Sequence, residues 1–207
     1  MHIRIDYLAD KNCFTELNES PRLRRQWQDV LEECRQTEAG PEERLRIALL
    51  NVDYVTSFEL PFRLLLTRTP QLIAALREEW DISQKNVVFN DKRFGCVYNL
   101  KASLSGGPDT FRYHLSHRIR RVGANENTSS PYQLIAREVK APRQRLKYAL
   151  ETGLQVSALD GLFWFGSQRI AADILRLRKY GMRIATASVD VYDNITGTTR
   201  HIPVYYS

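Results

Sequence analysis

With 207 residues, 43% of them hydrophobic and 26% charged, the chain suits one large or two small globular domains and is too apolar for a largely disordered protein. No apolar run approaches the roughly 20 residues that span a bilayer, and the opening residues lack the layout of a signal peptide, so a cytoplasmic protein with no membrane partner is expected. The formal charge of +6 is held unevenly: Lys and Arg against Asp and Glu give −2 for residues 1–40, 0 for 41–100, +4 for 101–140 and +4 for 141–207, so a polyanionic partner should meet the second half.

Residues 1–40 read as a strand, His2 to Leu8, followed by an amphipathic helix from Ser20 to about Thr37. Pro21 sits in its first turn, and Leu23, Trp27, Val30, Leu31 and Cys34 recur at helical spacing. That apolar face fits either the next domain or a dimer interface, and the sequence leaves both open. Residues 41–102 read as helices followed by a hairpin, Val87 to Phe89 and Phe94 to Leu100, about the turn Asn90, Asp91, Lys92.

Residues 103–140 read as a basic linker with loops at Ser103 to Pro108 and Gly123 to Pro131. Between them Arg112, Arg118, Arg120 and Arg121 accompany Tyr113, His114 and His117, a composition that suits a DNA backbone or a solvated linker helix. The two histidines have no acidic or thiol ligand nearby, so no metal site is expected.

Residues 141–207 carry the clearest pattern. Pro142 opens a helix through Leu146, Ala149 and Leu150 that Gly153 stops; Ser157 and Asp160 stand at capping-box spacing before a short helix to Phe165. Gly166 permits a tight turn, and Ser167 is placed to cap a helix from Gln168 to Lys179. Its buried stripe reads Ile170, Ala171, Ile174 and Leu177, leaving Gln168, Arg169, Ala172, Asp173 and Arg176 outside. A hairpin from Arg183 to Tyr192 and His201 to Tyr206 follows about a turn at Asp193, Asn194 and Gly197, and its tip, Asn194 to Arg200, places Thr198, Thr199 and Arg200 for phosphates or a minor groove.

A shift of about 101 residues lays the chain on itself. Pro41, Arg44, Leu45, Ala48 and Leu49 meet Pro142, Arg145, Leu146, Ala149 and Leu150. Further along, Val55 meets Val156, Thr56 meets Ser157, Glu59 meets Asp160, Arg68 meets Arg169 and Arg77 meets Arg178. If the second hairpin is about six residues longer, Val97 and Tyr98 meet Val204 and Tyr205. The first copy's third helix would expose Gln71, Ala75, Glu78 and Glu79, a face suited to protein more than to phosphate.

The residues Ser157 to Asp160, Gly166 to Ala172, Leu177 to Lys179 and Gly181 resemble the short winged helix-turn-helix domains of phage and other mobile-element proteins. Taken with the internal repeat, it leads to an expected mainly α fold with small β-hairpins, built as tandem winged helix-turn-helix domains. It also implies double-stranded DNA binding without catalysis.

No phosphate-loop, dinucleotide, zinc-protease or serine-hydrolase motif occurs, and no cofactor is expected. Cys13, Cys34 and Cys96 show neither disulfide nor zinc spacing. The expected protein is a sequence-specific DNA-binding regulator of a phage or other mobile element, acting as a homodimer. Ser167, Gln168, Arg169, Ala172 and Asp173 would lie at the groove; Arg176, Lys179, Arg183, Arg118, Arg120, Arg121, Thr198, Thr199 and Arg200 would meet the backbone. The alternatives are a replication or partition initiator, and an adaptor or inhibitor that binds a host or defence protein through the N-terminal half.

Overall fold

The structure is a computed structural model that describes residues 3–9, 14–17, 19–100, 104, 107–115, 119–124 and 126–207. In chain order its elements are β1 (Ile3–Ala9), β2 (Phe14–Glu16), α1 (Pro21–Gln36), α2 (Pro41–Asn51), β3 (Val55–Thr56), α3 (Glu59–Arg63), α4 (Thr69–Leu76), β4 (Ser83–Phe89) and β5 (Lys92–Asn99). Next come β6 (Thr110–Phe111), β7 (Tyr113–Leu115), β8 (Ile119–Gly123), β9 (Glu126–Asn127), α5 (Ser130–Glu138), α6 (Pro142–Glu151), β10 (Val156–Ser157) and α7 (Ala158–Asp160). A π-helical turn, Gly161–Phe165, then leads to α8 (Ile170–Lys179), β11 (Ala185–Asp193) and β12 (Thr198–Tyr206).

The described residues divide into two compact units. A terminal unit takes those within Met1–Asp10, Arg118–Asp193 and Thr198–Ser207; a middle unit takes those within Lys11–His117 and Asn194–Gly197. The terminal unit holds a six-stranded sheet in the order β10-β12-β11-β1-β8-β9. In it β1 runs parallel to β11 at Ile3 and Arg4, then antiparallel to β8 from Ile5 to Ala9. The middle unit holds a four-stranded sheet, β3-β5-β4-β6, and the pair β2-β7.

These sheets overturn the expected fold class. The chain has a mixed α/β fold with large mixed sheets, where a mainly α fold with small hairpins was expected. The difference arises where strands pair with partners remote in sequence. The basic stretch expected as a linker forms β6, β7 and β8, and the N-terminal strand completes the sheet of the C-terminal hairpin.

Helix α1 begins where Ser20 Oγ accepts the Leu23 N–H at 3.1 Å, with Pro21 supplying a first-turn φ. Its stripe of Leu23, Trp27, Val30 and Cys34 is buried in the middle unit's core with Leu45, Ala48, Leu60 and Ile73. The apolar face that sequence left open is therefore filled within its own unit. A second cluster gathers Val87, Phe89, Val97, Phe111 and Tyr113, with Phe58 stacked on Tyr113 at 5.4 Å.

The two units repeat one succession of elements: helix, helix, short strand, helix, turn, helix, hairpin. Val55 pairs with Tyr98 and Thr56 with Val97; at the shifted positions Val156 pairs with Tyr205 and Ser157 with Val204. Arg44 donates to the carbonyls of Ala39 and Leu64, and Arg145 to those of Val139 and Phe165. Size is exchanged between neighbours. A Cβ on Gly161 would meet Ile170 Cδ1 at 3.0 Å, whereas the middle unit has Leu60 at the corresponding place and the smaller Thr69 opposite it.

Candidate nucleic-acid interface

The segment from Ser157 to Lys179 in the terminal unit is anchored by a buried polar network. Ser157 Oγ accepts the Asp160 N–H at 3.1 Å while Asp160 accepts the Ser157 N–H at 2.8 Å, closing a capping box. Arg121 Nε donates to the same carboxylate at 3.1 Å, its guanidinium lies 4.7 Å from the Tyr132 ring, and the Tyr7 and Ser157 hydroxyls share a hydrogen bond. Burial pushes the Asp160 carboxyl up, opposed by Arg121 and by the Ser157 N–H. The Tyr7 phenol is also pushed up, first by burial and then by Asp160.

Gly161–Phe165 widens the helix after this network, and Gly166 reverses it at φ 70° and ψ 22°. Leu162, Trp164 and Phe165 are buried, and Trp164 and Phe165 pack on Tyr132 at 5.6 and 6.1 Å. The bulky run Phe163 to Phe165 thus serves the interior of this unit. Ser167 is buried, donates to Asp173 Oδ2 at 3.1 Å and accepts the Arg169 N–H at 3.4 Å.

Helix α8 therefore starts two residues later than expected, with Arg169 in the capping position. Ile170, Ile174 and Leu177 form its buried stripe. Ala171, expected in that stripe, is exposed, because one residue turns the helix by about 100° and carries it off the core. Arg178 ties the helix end to the hairpin, donating to the Ile184 carbonyl at 2.8 Å and to Thr186 Oγ1 at 2.9 Å.

The expected contact residues separate into two groups. Arg169, Arg176, Lys179, Arg183 and Arg120 are exposed, and their side chains make no ion pair or hydrogen bond among the described residues. Ala172 and Thr199 are exposed, while Gln168 and Thr198 are half-buried. The others are committed inside the unit. Ser167 is buried, Asp173 holds Arg143 at 3.1 Å, Arg200 holds the buried Asp193 at 3.0 Å, and Arg121 is 5% exposed on Asp160. Burial and pairing remove Ser167 and Arg121 from any contact surface. Arg118 lies outside the described residues.

The expected hairpin tip also changes. Asn194–Gly197 belongs to the middle unit, where Ile195 is part of the core and Thr196 is buried. The other hairpin turns at Asn90 and Asp91, at φ 46° and 66°, which are held by Phe111, Tyr113 and Arg112, while Lys92 and Arg93 beyond them are exposed. Sequence reasoning missed Leu175, which is 55% exposed on α8. An apolar residue one position after the buried Ile174 was the available signal.

Helix α4 occupies the corresponding place in the middle unit. Its capping Arg68 has φ −132° and ψ 39°, against −129° and 43° at Arg169. Beyond that residue the exposed surfaces diverge. Where α8 has Ala172, Arg176 and Lys179, the middle unit has Gln71, Ala75 and, just past α4, Glu78, all exposed.

Among the described residues no cluster of three or more His, Cys, Asp or Glu side chains could hold a metal ion, and no helix is long and apolar enough to cross a membrane. Cys34 is buried and Cys96 half-buried; Cys13 lies outside the described residues. No family model, no curated protein and no solved structure matches the chain.

Proposed function

We propose that the chain is a sequence-specific double-stranded-DNA-binding protein whose terminal unit presents α8 to a major groove, in the manner of a winged helix-turn-helix. One observation carries this reading. Arg169, Arg176, Lys179 and Arg183 stand exposed on and beside one helix with no side-chain partner among the described residues, whereas neighbouring cations such as Arg178, Arg200 and Arg121 are tied down. Unpaired cations on a rigid helix suit phosphates, whose neutralisation releases counterions. Small residues at Ala171 and Ala172 let the helix backbone approach base edges.

Regulation of a phage or other mobile element, by a homodimer, is the role that the resemblance of residues 157–181 suggests. Two units with one succession of elements equally suit an initiator acting on iterated sites. A protein partner is favoured at the other helix, because α4 and the residues after it expose Gln71, Ala74, Ala75, Glu78 and Glu79.

Selection of retained duplexes from a random pool, followed by titration in salt, tests the reading. About four phosphate contacts give a slope of log affinity on log salt near −4. Replacing Arg169, Arg176, Lys179 and Arg183 by Ala should abolish retention at physiological salt. Retention unchanged in that variant defeats the assignment.

A further inference from the structure

The exposed face of α8 is split. At about 100° per residue, Ala171 and Leu175 fall on one flank, Ala172 and Lys179 along the middle, and Arg176 with the capping Arg169 on the other flank. All six are exposed. Within α8, Leu175 is the large apolar side chain left in water, 55% exposed on a helix whose core stripe is complete without it.

Resting on the reading that α8 enters a major groove, we propose that Ala171, Ala172 and Leu175 recognise the C5-methyl groups of thymine, making α8 a reader of thymine steps. The major groove offers one apolar feature per A·T pair, the thymine methyl, and small or aliphatic side chains are its natural contacts. Residues three and four apart on a helix are separated by about 4.5 and 6 Å along its axis. Successive bases on a strand are about 3.4 Å apart, so the strip spans neighbouring thymines.

The surrounding charge selects DNA over a protein as the occupant. A stable protein interface needs on the order of 1,000 Å² and a larger apolar anchor than two alanines and a leucine. It would also have to cover Arg169, Arg176 and Lys179, which have no partners among the described residues; DNA brings phosphates to them. The middle unit lacks this arrangement, since its corresponding positions hold Pro70, Gln71 and Ala74.

Uracil differs from thymine only by the missing methyl, so it isolates the contact. With the full chain and a duplex selected from a random pool, thymines in the protected site are replaced singly by uracil, and affinity is read by fluorescence anisotropy. One or two replacements should weaken binding about fourfold each, the value of one buried methyl. In Leu175→Ala the replacement beneath that side chain should become neutral, and Leu175→Met should restore the sensitivity. Leu175 is exposed, so both variants should keep the wild-type urea midpoint. If duplexes are retained through Arg176 but every uracil replacement is neutral, the thymine inference is overturned while DNA binding stands. If the pool yields no retained duplex, both fail.

Discussion

The terminal and middle units solve the same problem, holding two helices joined by a tight turn after a short strand, with different buried chemistry. In the terminal unit one acid, Asp160, meets one base, Arg121, which arrives from β8. In the middle unit Glu59 forms the same capping arrangement with Thr56, and Thr56 Oγ1 shares a 2.8 Å hydrogen bond with the Tyr113 hydroxyl where Ser157 shares one with that of Tyr7. There, however, Arg63 serves both Glu59 and Glu19, and the buried Glu16 has an oxygen without a partner among the described residues. The local cap is thus the repeated unit, while its counter-charge is recruited from whichever element passes nearby.

The largest expected effect tests that balance. Arg121→Ala leaves Asp160 buried without its cation and should cost the terminal unit about 3 to 5 kcal/mol. Urea unfolding followed by amide exchange in β10 and β12 checks it, and a loss under about 1 kcal/mol would show that Asp160 takes a proton at little cost.

The middle unit should respond to pH in a direction set by Glu59. Burial pushes this carboxyl up to about 7 from 4.5, with Arg63 and the Thr56 N–H opposing. The folded form thus binds the proton more tightly than the unfolded chain. Its contribution is fully present below about pH 4.5 and lost as pH rises through about 7, amounting to about 3 kcal/mol. Stability at pH 5 and pH 8 measures it, and Glu59→Gln should flatten the difference. A middle unit that becomes more stable over this range would reverse the assigned sign.

The exposed faces can be exchanged as well. Arg176→Ala with Lys179→Glu writes the middle unit's surface onto the terminal one and should lower the salt slope by about 2. The converse pair, Ala75→Arg with Glu78→Lys, should leave the original DNA site intact. If the first exchange leaves DNA retention unchanged, the asymmetry between the units has no bearing on DNA.

The smallest effect concerns the turn. Gly166 and Leu65 occupy corresponding positions at φ 70° and 53°. Gly166→Ala has open space for its Cβ and should cost only about 1 kcal/mol from the backbone. Leu65→Gly relieves the same strain but gives up packing on the middle core, so its net change should be smaller still. A Gly166→Ala variant as stable as wild type would mean that the turn can adopt another conformation.

Much of the helical structure was legible because its signals are local. The proline-led starts of α1, α2 and α6, the Ser157 and Asp160 spacing and the hairpin offset between Tyr98 and Tyr205 all lie within short windows. What was hidden is long-range pairing. Nothing near Ile3 announces β11 and β8 as neighbours, and Arg121 reads as a surface cation until Asp160 is placed beside it. Ile195 and Thr196 looked like a solvent-facing tip because turn chemistry is polar by habit; their burial depends on residues of the middle unit. At the candidate interface, the free cations of α8 followed from helical spacing, whereas Leu175 became visible only once the core stripe was fixed.

The position of β1 has a consequence for how the chain acquires its structure. This strand is made before the long middle-unit segment within Lys11–His117, yet its partners β8 and β11 are made only after that segment. The middle unit can mature during synthesis, since apart from one short turn its sequence is continuous. The six-stranded sheet must wait for a long loop to close, a slow and entropically costly step. Until then β1 has both edges unpaired, so the waiting strand is where this chain is most exposed to misassembly with another copy.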